Sequence, residues 1–315
     1  MIMNRSDQTH AIRALKSAAP YIRMYKGKTF VVKAGGGVFA DTESTRVLIE
    51  QIAILHYFGV RVVMVHGGGP QVTELESALG LQSRMVGGRR VTDEKSINVT
   101  SMVLNGLINT RILGMCRELN IDAIGISGVD AGLVRAHKRA PVKVEGGEIV
   151  DYGFVGDING VDATVIRKLL DNGLMPVISP LSADENGVLL NINADTVAAA
   201  IGAELGAEKL ILCTGAPGIL ERVDDPGSLI SYTDLRGLKR LRDEKRIVDG
   251  MLPKAKAIED AIRGGVRRVH VVSYKAPEGI LGEVFTNEGT GTLIVPDVNA
   301  MPPNEQQHGG IGANA

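Results

Sequence analysis

Six short apolar segments alternate with amphipathic helical patterns along most of the chain. This alternation is typical of βαβ units, in which parallel strands form one sheet with helices on both faces. The predicted strands lie near residues 29–33, 61–65, 123–127, 175–179, 209–213 and 268–272. The predicted helices lie near residues 43–58, 70–79, 93–118, 162–172, 194–205 and 254–264. We therefore expect an α/β fold with a mostly parallel central sheet.

Two segments interrupt the alternation. Residues 133–161 contain a turn at Gly146-Gly147, and residues 181–193 contain the turn Glu185-Asn186-Gly187. Short turns rich in Gly and Asn join antiparallel strands. The two segments predict β-hairpins above the carboxyl edge of the sheet, where a lid over a small substrate would lie.

Glycines follow two of the predicted strands. The first strand ends in Lys33-Ala-Gly-Gly-Gly37, and the second ends in His66-Gly-Gly-Gly-Pro-Gln71. Such exits let backbone N–H groups approach an anion at the edge where open α/β sheets bind ligands. One of them alone also fits a plain tight turn. Two of them, one with a lysine, predict that both sides of a polyanionic reaction centre are held.

Two later motifs place charged residues at the starts of helices. Asn193 precedes an alanine-rich helix and suits an N-cap, with Asp195 in the first turn. That structural role alone would explain both residues. Lys254 follows Gly250 and Pro253 at the start of another helix, where its charge opposes the helix dipole. A lysine in that place indicates a nearby anion.

Composition and cysteine usage limit the class of protein. A net charge of −1 favours neither nucleic acid nor a membrane surface as a partner. Cys116 and Cys213 lack metal-ligand spacing, so we expect buried thiols in a reducing compartment and no protein metal site. The sequence has no 18-residue apolar run and no signal peptide, which predicts a cytoplasmic protein. The polar residues after about 299 predict a disordered tail.

Taken together, the motifs resemble those of the N-acetylglutamate kinases of the amino acid kinase superfamily, in order and in spacing, over about residues 28–296. The matching motifs are Lys33-Ala-Gly-Gly36, His66-Gly-Gly-Gly-Pro-Gln71, Gly88-Arg-Arg-Val-Thr-Asp93, Gly153-Phe-Val-Gly156, Asn191-Ile-Asn-Ala-Asp195 and Gly250-Met-Leu-Pro-Lys254. The resemblance implies a three-layer αβα sandwich with a β-hairpin lid. It also implies an N-terminal helix (1–27), an amino-acid lobe (28–202), an ATP lobe (203–297) and a tail (298–315).

The reaction implied by the resemblance is ATP plus N-acetyl-L-glutamate giving N-acetyl-L-glutamyl 5-phosphate and ADP, the second step of arginine biosynthesis. Mg²⁺ is implied to travel with the nucleotide. A γ-carboxylate with a pKa of about 4.3 is already ionised at neutral pH, so the acceptor needs no general base. Because an anion must approach a polyanion, catalysis requires in-line positioning and neutralisation of the phosphoryl oxygens.

The resemblance also implies roles for single residues. Lys33 would bridge the β- and γ-phosphates, Lys254 would act on the leaving-group side, and Asp195 would organise both ammonium groups. The other implied positions are Gly35 and Gly36 at the phosphates, and Gly67, Gly68, Arg90, Asn191 and Asn193 at the amino acid, with Arg90 on its α-carboxylate. We interpret Arg89 as a solvated neighbour and His66 as a residue that holds the glycine turn rather than a base.

The N-terminal segment resembles that of arginine-inhibited relatives, in which a helix joins dimers into a hexamer. Its apolar face comprises Ile12, Leu15, Ala19 and Ile22. The alternative is a helix folded back on its own subunit, since Pro20 interrupts the pattern. The resemblance places an L-arginine site at Tyr21, Glu283, Glu288 and Gly289. Three positions depart from the family pattern: Glu278 stands in place of a histidine, Gly215 in place of an acidic residue, and Ala34 in place of the common Tyr or Leu.

Three other readings of the sequence stay open. A kinase acting on carrier-bound aminoadipate in lysine synthesis would need a basic rim, for which Arg135, His137, Lys138 and Arg139 are candidates. The acyl group of the substrate is also open, succinyl instead of acetyl. A non-catalytic arginine-sensing module, such as the kinase-like half of an acetylglutamate synthase, is the reading from another class. Retention of both lysines favours the kinase.

Overall fold

An eight-stranded sheet forms the centre of the protein. The computed structural model describes residues 5–301, except residues 88, 145, 223, 226, 249, 287 and 288. In spatial order the strands of the sheet are β14 (Tyr232–Asp234), β16 (Thr292–Val295), β15 (Arg268–Ser273), β13 (Lys209–Thr214), β1 (Thr29–Ala34), β2 (Arg61–His66), β10 (Met175–Ser179) and β5 (Ala123–Ser127). Every neighbouring pair is parallel except β15 with β16. The predicted mostly parallel sheet is confirmed.

Helices cover both faces of this sheet. They are α1 (Arg5–Tyr25), α2 (Thr42–Tyr57), α3 (Gly69–Ala78), α4 (Glu94–Ser101), α5 (Thr110–Glu118), α6 (Thr164–Asp171), α7 (Ala194–Leu205), α8 (Leu235–Asp243), α9 (Met251–Arg263) and α10 (Gly279–Phe285). Successive side chains of a strand point to opposite faces. Val31 packs in the apolar cluster of α7 and α9, whereas Phe30 and Val32 pack in that of α2 and α5. The molecule is therefore a three-layer αβα sandwich, as predicted.

The two predicted hairpin segments form one smaller sheet. β6 (Val134–Lys138) pairs antiparallel with β9 (Gly156–Val161), and β11 (Leu181–Ala183) pairs antiparallel with β12 (Leu189–Asn191). Because β11 also pairs with β6, the four strands are continuous, and we call them the lid sheet. Gly187 turns the second hairpin at a φ of 79°, a conformation that favours glycine. Both predicted hairpins are confirmed.

Two further hairpins lie beside the lid sheet. The turn at Gly146-Gly147 joins β7 (Val142–Lys143) to β8 (Ile149–Val150). The other hairpin joins β3 (Arg84–Val86) to β4 (Arg89–Val91). The second of these is absent from the sequence prediction, because three-residue strands are too short to show a period.

The N-terminal helix α1 leaves its apolar face uncovered. Ile12 is 56% exposed and Leu15 is 58% exposed, so the helix does not fold back over its own subunit there. Only its end is anchored, where the Tyr25 ring packs edge-on against Phe30 with 5.2 Å between centroids. The helix continues through Pro20.

The strands of the two predicted lobes belong to one sheet. β1 pairs with β13 across the predicted boundary between residues 202 and 203, and the division into lobes stays a prediction. Both cysteines are buried free thiols, as predicted, and burial raises the pKa of Cys116 and of Cys213 to about 12. Across the described residues, no helix combines the length and apolar character needed to span a membrane. Residues 302–315 of the predicted tail lie outside the described residues.

Candidate active site

The two glycine-rich strand exits lie side by side. β1 and β2 are neighbours, with Lys33 opposite Val65 in the register. A Cβ atom on Gly36 would lie only 2.6 Å from Pro70 Cδ and 3.0 Å from Gly68 Cα, so no other residue fits there without displacement. The Gln71 side chain donates to the Gly36 carbonyl oxygen at 2.8 Å. These contacts hold the two loops together.

Three charged residues meet at the floor beside these loops. Lys33 Nζ lies 2.9 Å from Asp195 Oδ1, and Lys254 Nζ lies 3.1 Å and 3.2 Å from the two carboxylate oxygens. Lys33, Asp195 and Lys254 are only 7%, 6% and 7% exposed. Asn193 caps α7 by accepting from the backbone N–H groups of Asp195 and Thr196, as predicted. The sequence prediction that two lysines flank this aspartate agrees with the observed contacts.

The charge state of this triad follows from its surroundings. Burial alone would raise the pKa of Asp195, but the two ammonium groups outweigh it and lower that pKa to about 2. Burial lowers the pKa of Lys254, and Asp195 partly offsets that effect. Asp195 is therefore a carboxylate at neutral pH, which makes it a poor general base.

A cavity of about 340 Å³ opens above the triad. Of the predicted site residues, those that line it are Lys33, Gly35, Gly36, Gly67, Gly68, Arg90, Asn191 and Asn193. Asp195 and Lys254 are absent from this lining. Asp195 contacts Lys33, which is part of the lining, and Lys254 contacts Asp195. Five cationic residues line the cavity, and no Asp or Glu of the described chain does. Such a lining suits an anionic ligand.

Arg90 is held by α3. One terminal nitrogen donates to the carboxylate of Glu76 and to Ser83 Oγ, and the other donates to Gly69 O at 3.2 Å and Thr73 Oγ1 at 2.6 Å. Glu76 is fully buried, so this ion pair is shielded from water. Sequence reasoning missed Glu76, because a single glutamate in a helical pattern gives no signal.

Arg89 and Arg139 also line the cavity. Arg139 donates to Asp157 through Nε at 3.1 Å and through Nη2. Burial lowers the pKa of Arg89, and the positive charge of Arg139 lowers it further. Arg89 is exposed to solvent, as the description of it as a solvated neighbour expects, and its side chain also forms part of the cavity wall.

His66 is a buried neutral residue. Its Nδ1 lies 3.3 Å from the Gly67 carbonyl oxygen, and its Nε2 lies 3.2 Å from Asn109 Nδ2. Burial lowers the pKa of His66 to about 4. The residue is absent from the cavity lining, which agrees with its predicted role in holding the glycine turn.

A second cavity, of about 100 Å³, lies between α1 and α10. Tyr21, Glu283 and Gly289 line it, whereas Glu288 lies outside the described residues. Three basic residues that the sequence analysis missed line it as well, and they are Lys209, Arg268 and His270.

The polar groups of this second cavity form a chain. Glu283 accepts from His270 Nδ1 at 2.7 Å and from the backbone N–H groups of Thr290 and Gly291. Lys209 Nζ lies 2.9 Å from His270 Nε2. Burial lowers the pKa of His270 to about 4, so a neutral imidazole joins the ammonium to the carboxylate. Burial opposes ionisation of Glu283, yet its three donors keep its pKa below the ordinary range.

Gly215 follows the carboxyl end of β13. A Cβ atom there would lie 3.5 Å from the hydroxyl oxygen of Tyr274, and a Cβ on Gly37 would lie 2.8 Å from the same atom. The Tyr274 ring therefore occupies the space between two glycines at the sheet edge. The acidic group that the resemblance leads one to expect at position 215 is missing from this edge.

Comparison with known proteins assigns the family. A sequence model of the amino acid kinase family matches residues 28–273. The chain belongs to the amino acid kinase family. Within this family, the acetylglutamate kinase of Myxococcus xanthus (strain DK1622) is 46% identical over 295 residues, which cover 92% of this chain and 96% of that enzyme. The chain is thus an amino acid kinase similar to acetylglutamate kinases over nearly its whole length.

Solved structures of a related protein show the same fold. The N-acetylglutamate synthase from Neisseria gonorrhoeae, complexed with coenzyme A and N-acetyl-glutamate, is 27% identical with a TM-score of 0.76. That match covers 90% of this chain and 63% of the synthase. The same synthase complexed with coenzyme A and L-arginine is 25% identical with a TM-score of 0.73, over 91% of this chain and 65% of that one. This amino acid kinase spans less than two thirds of the synthase.

Proposed function

We propose that the site transfers the γ-phosphoryl group of ATP to the γ-carboxylate of N-acetyl-L-glutamate, giving N-acetyl-L-glutamyl 5-phosphate and ADP for arginine biosynthesis. The observation that carries this proposal is the buried Lys33–Asp195–Lys254 triad beneath a cavity lined by cations and two glycine-rich loops. Similarity to acetylglutamate kinases supports the choice of substrate. We place the reaction in the cytoplasm.

The triad suits this reaction because it neutralises charge without accepting protons. The γ-carboxylate oxygen attacks the γ-phosphorus, and the bond from that phosphorus to the oxygen shared with the β-phosphate breaks. Lys33 and Lys254 neutralise the phosphoryl oxygens during this exchange. Asp195 holds the two ammonium groups near each other, because without its charge they would repel.

The glycine loops fit a triphosphate. A Cβ on Gly35 would lie 3.6 Å from Lys33 Nζ, so the bare backbone leaves room for a phosphate beside the ammonium group. Gly35 and Gly36 then offer N–H donors, and Gly68 does so toward the amino-acid γ-carboxylate. Gly67 lines the cavity but donates its own N–H to the Ala34 carbonyl oxygen at 2.8 Å, so it is not a donor to the substrate. Mg²⁺ bound to the nucleotide would add positive charge at the phosphate oxygens. Among the residues described, no cluster of three or more His, Cys, Asp or Glu provides a protein metal site.

A coupled assay of ADP release with a substrate panel tests the proposed function. N-acetyl-L-glutamate should support turnover, whereas L-glutamate, N-acetyl-L-aspartate and N-acetyl-L-aminoadipate should give a kcat/KM at least about tenfold lower. The free amine of glutamate carries a charge that a cationic cavity disfavours. Equal turnover of N-acetyl-L-aminoadipate would point to the lysine-pathway reading instead.

Arg90 is proposed to bind the α-carboxylate, together with Asn191 and the helix start at Asn193. Arg90 Nη2 donates to two neutral acceptors, Gly69 O and Thr73 Oγ1. The substrate carboxylate replaces these acceptors, because charge-assisted hydrogen bonds are stronger than neutral ones. Glu76 keeps hold of the other nitrogen and fixes the guanidinium plane.

Replacing Arg90 with lysine should raise KM for N-acetyl-L-glutamate about tenfold, with a smaller change for ATP. An ammonium cannot reproduce the bidentate geometry of a guanidinium. Steady-state kinetics with each substrate varied in turn measures both values, and Arg84→Lys on the same hairpin is the matched control. An equal rise in KM for ATP would move Arg90 to the nucleotide side.

We also propose that L-arginine inhibits the enzyme through the second cavity and that α1 assembles dimers into a hexamer. The cavity joins Tyr21 of α1 to Glu283 of α10, so a ligand there touches both elements. A related synthase was solved in complex with L-arginine. The exposed Ile12 and Leu15 need a covering surface, and another subunit provides one.

Removing residues 1–19 should therefore shrink the assembly from hexamer to dimer and abolish arginine inhibition, while Tyr21 and Tyr25 stay in place. Light scattering and inhibition curves at millimolar arginine measure the two effects. Leu15→Ser should weaken assembly as well, whereas Leu79→Ser, an exposed leucine elsewhere, should not. A full-length protein that is dimeric and insensitive to arginine would overturn the proposal, and Glu278 would be the first residue to examine.

The structure offers less support for the carrier-protein reading. Of its four rim residues, only Arg139 lines the main cavity, whereas Arg135 lines a separate cavity beneath the lid sheet. His137 contacts Asn159, and Lys138 pairs with Asp151. His137, Lys138 and Arg139 thus have separate partners, Arg135 lies at another cavity, and the four side chains do not form one basic rim.

A further inference from the structure

Arg89 differs from the other cations of the main cavity. Each of the other four has an acidic partner, and the pairs are Lys33 with Asp195, Arg90 with Glu76, Arg139 with Asp157 and Lys256 with Asp260. Within the described part of the chain, Arg89 forms neither an ion pair nor a hydrogen bond. Its closest charged neighbours include Arg139, which repels it, and Asp157, which is already engaged by Arg139. The guanidinium of Arg89 therefore lacks a partner for its charge.

Arg89 and Arg90 face different walls of the cavity. Neighbouring residues of a strand point to opposite sides. Arg90 contacts α3. The charges that act on Arg89 are those of Arg139, which follows β6, and of Asp157 in β9, so they belong to the lid sheet. A ligand between the β3–β4 hairpin and the lid sheet meets Arg89 without displacing any protein contact.

An N-acylglutamate has three arms at its α-carbon: the side chain with the γ-carboxylate, the α-carboxylate and the acylated amine. If the proposed function holds, the γ-carboxylate lies near Gly68 and Lys33, and the α-carboxylate lies at Arg90. The acyl arm then faces the rest of the lining, which includes Arg89 and Val155. An acetyl arm ends in a methyl group, which supplies no charge to the exposed guanidinium of Arg89.

We infer that Arg89 binds a carboxylate at the end of the substrate's acyl arm, so that this kinase also phosphorylates N-acylglutamates whose acyl group is a dicarboxylic acid. A planar guanidinium suits such a carboxylate because it donates two parallel hydrogen bonds. Arg139 adds positive charge on the same wall. The chemistry at the γ-carboxylate is the same as in the proposed function, on which this inference rests.

The test compares N-succinyl-L-glutamate with N-butyryl-L-glutamate, because their acyl groups have the same number of carbons and differ in one terminal carboxylate. ADP release gives kcat/KM for both with the wild type and with Arg89→Met. We expect the wild type to favour the succinyl substrate at least about tenfold and Arg89→Met to lower that ratio about tenfold. Arg84→Met removes the same charge from the same hairpin at a residue that is absent from the cavity lining, and should leave the ratio unchanged.

Each other outcome is informative. A wild type that turns over N-acetyl-L-glutamate but prefers butyryl, or treats both equally, overturns the inference. An unchanged ratio of the two kcat/KM values in Arg89→Met also overturns it. If kcat/KM falls equally for both substrates in that variant, Arg89 binds the α-carboxylate instead. Arg89→Lys, which keeps the charge but loses the fork, should give an intermediate ratio if the variant protein folds. Absence of turnover with every N-acylglutamate would instead refute the proposed function.

Discussion

Replacing Lys33 or Lys254 with methionine should lower kcat by about a hundredfold or more. Each ammonium group neutralises charge that develops at the phosphoryl oxygens, and loss of one preorganised donor costs roughly 10²–10³ in kcat. Methionine fills the space of the buried lysine stem, and Asp195 keeps one ammonium partner in either variant. Either variant should therefore have a much lower kcat, while the midpoint of its unfolding in urea changes only modestly.

Lys239→Met is the matched control for these variants. Lys239 belongs to α8, pairs with Asp243 on the surface and is absent from the cavity lining. Its replacement removes one ammonium group without touching the triad, so kcat should stay within about twofold of the wild type. Retention of wild-type kcat by both Lys33→Met and Lys254→Met would remove the two lysines from the mechanism.

Replacing Asp195 with asparagine should lower the free energy of unfolding by about 3–5 kcal/mol, besides abolishing activity. The substitution leaves two ammonium groups buried next to each other without an anion, and unpaired buried charges are costly. Urea unfolding at pH 7 measures the difference. Glu185→Gln, in the exposed turn between β11 and β12, is a control for loss of one carboxylate. A change below about 1 kcal/mol would show that the triad is not a desolvated ion network.

The same substitution has a predicted pH dependence. The pKa of Asp195 falls from an ordinary 3.8 to about 2 in the folded protein, a difference of about 2 kcal/mol. Because the folded-state pKa is the lower one, this stabilisation is complete above the unfolded pKa and is lost as the pH falls through about 2. The stability gap between wild type and Asp195→Asn should therefore narrow below pH 4.

The sequence was sufficient to predict six of the eight strands of the sheet but not the two at one end, β14 and β16. The six predicted strands have five or six residues, and their bounds agree within one residue. β14 and β16 have three and four residues, so no period can be read from them. Helix α8 was missed although Leu235, Leu238 and Leu241 recur at a helical spacing.

The parts of the site that were predictable are those where the local backbone favours a particular residue type. Glycines at strand exits and a lysine at a helix start are visible in the sequence, and they lie together in the structure. The pairs formed by Glu76 with Arg90, and by Lys209 with His270, could not be predicted, because each depends on packing between distant segments. The sequence around Arg89 also gives no sign that its side chain lacks an ion-pair partner.

The most direct test of the central claim is to trap the product as its hydroxamate. Incubation of the enzyme with MgATP, N-acetyl-L-glutamate and hydroxylamine should give N-acetyl-L-glutamyl γ-hydroxamate in an amount equal to the ADP released, because hydroxylamine attacks an acyl phosphate. The account predicts this product with the wild type and its near absence with Lys33→Met. ADP release without hydroxamate, or hydroxamate formation unaffected by loss of Lys33, would contradict it.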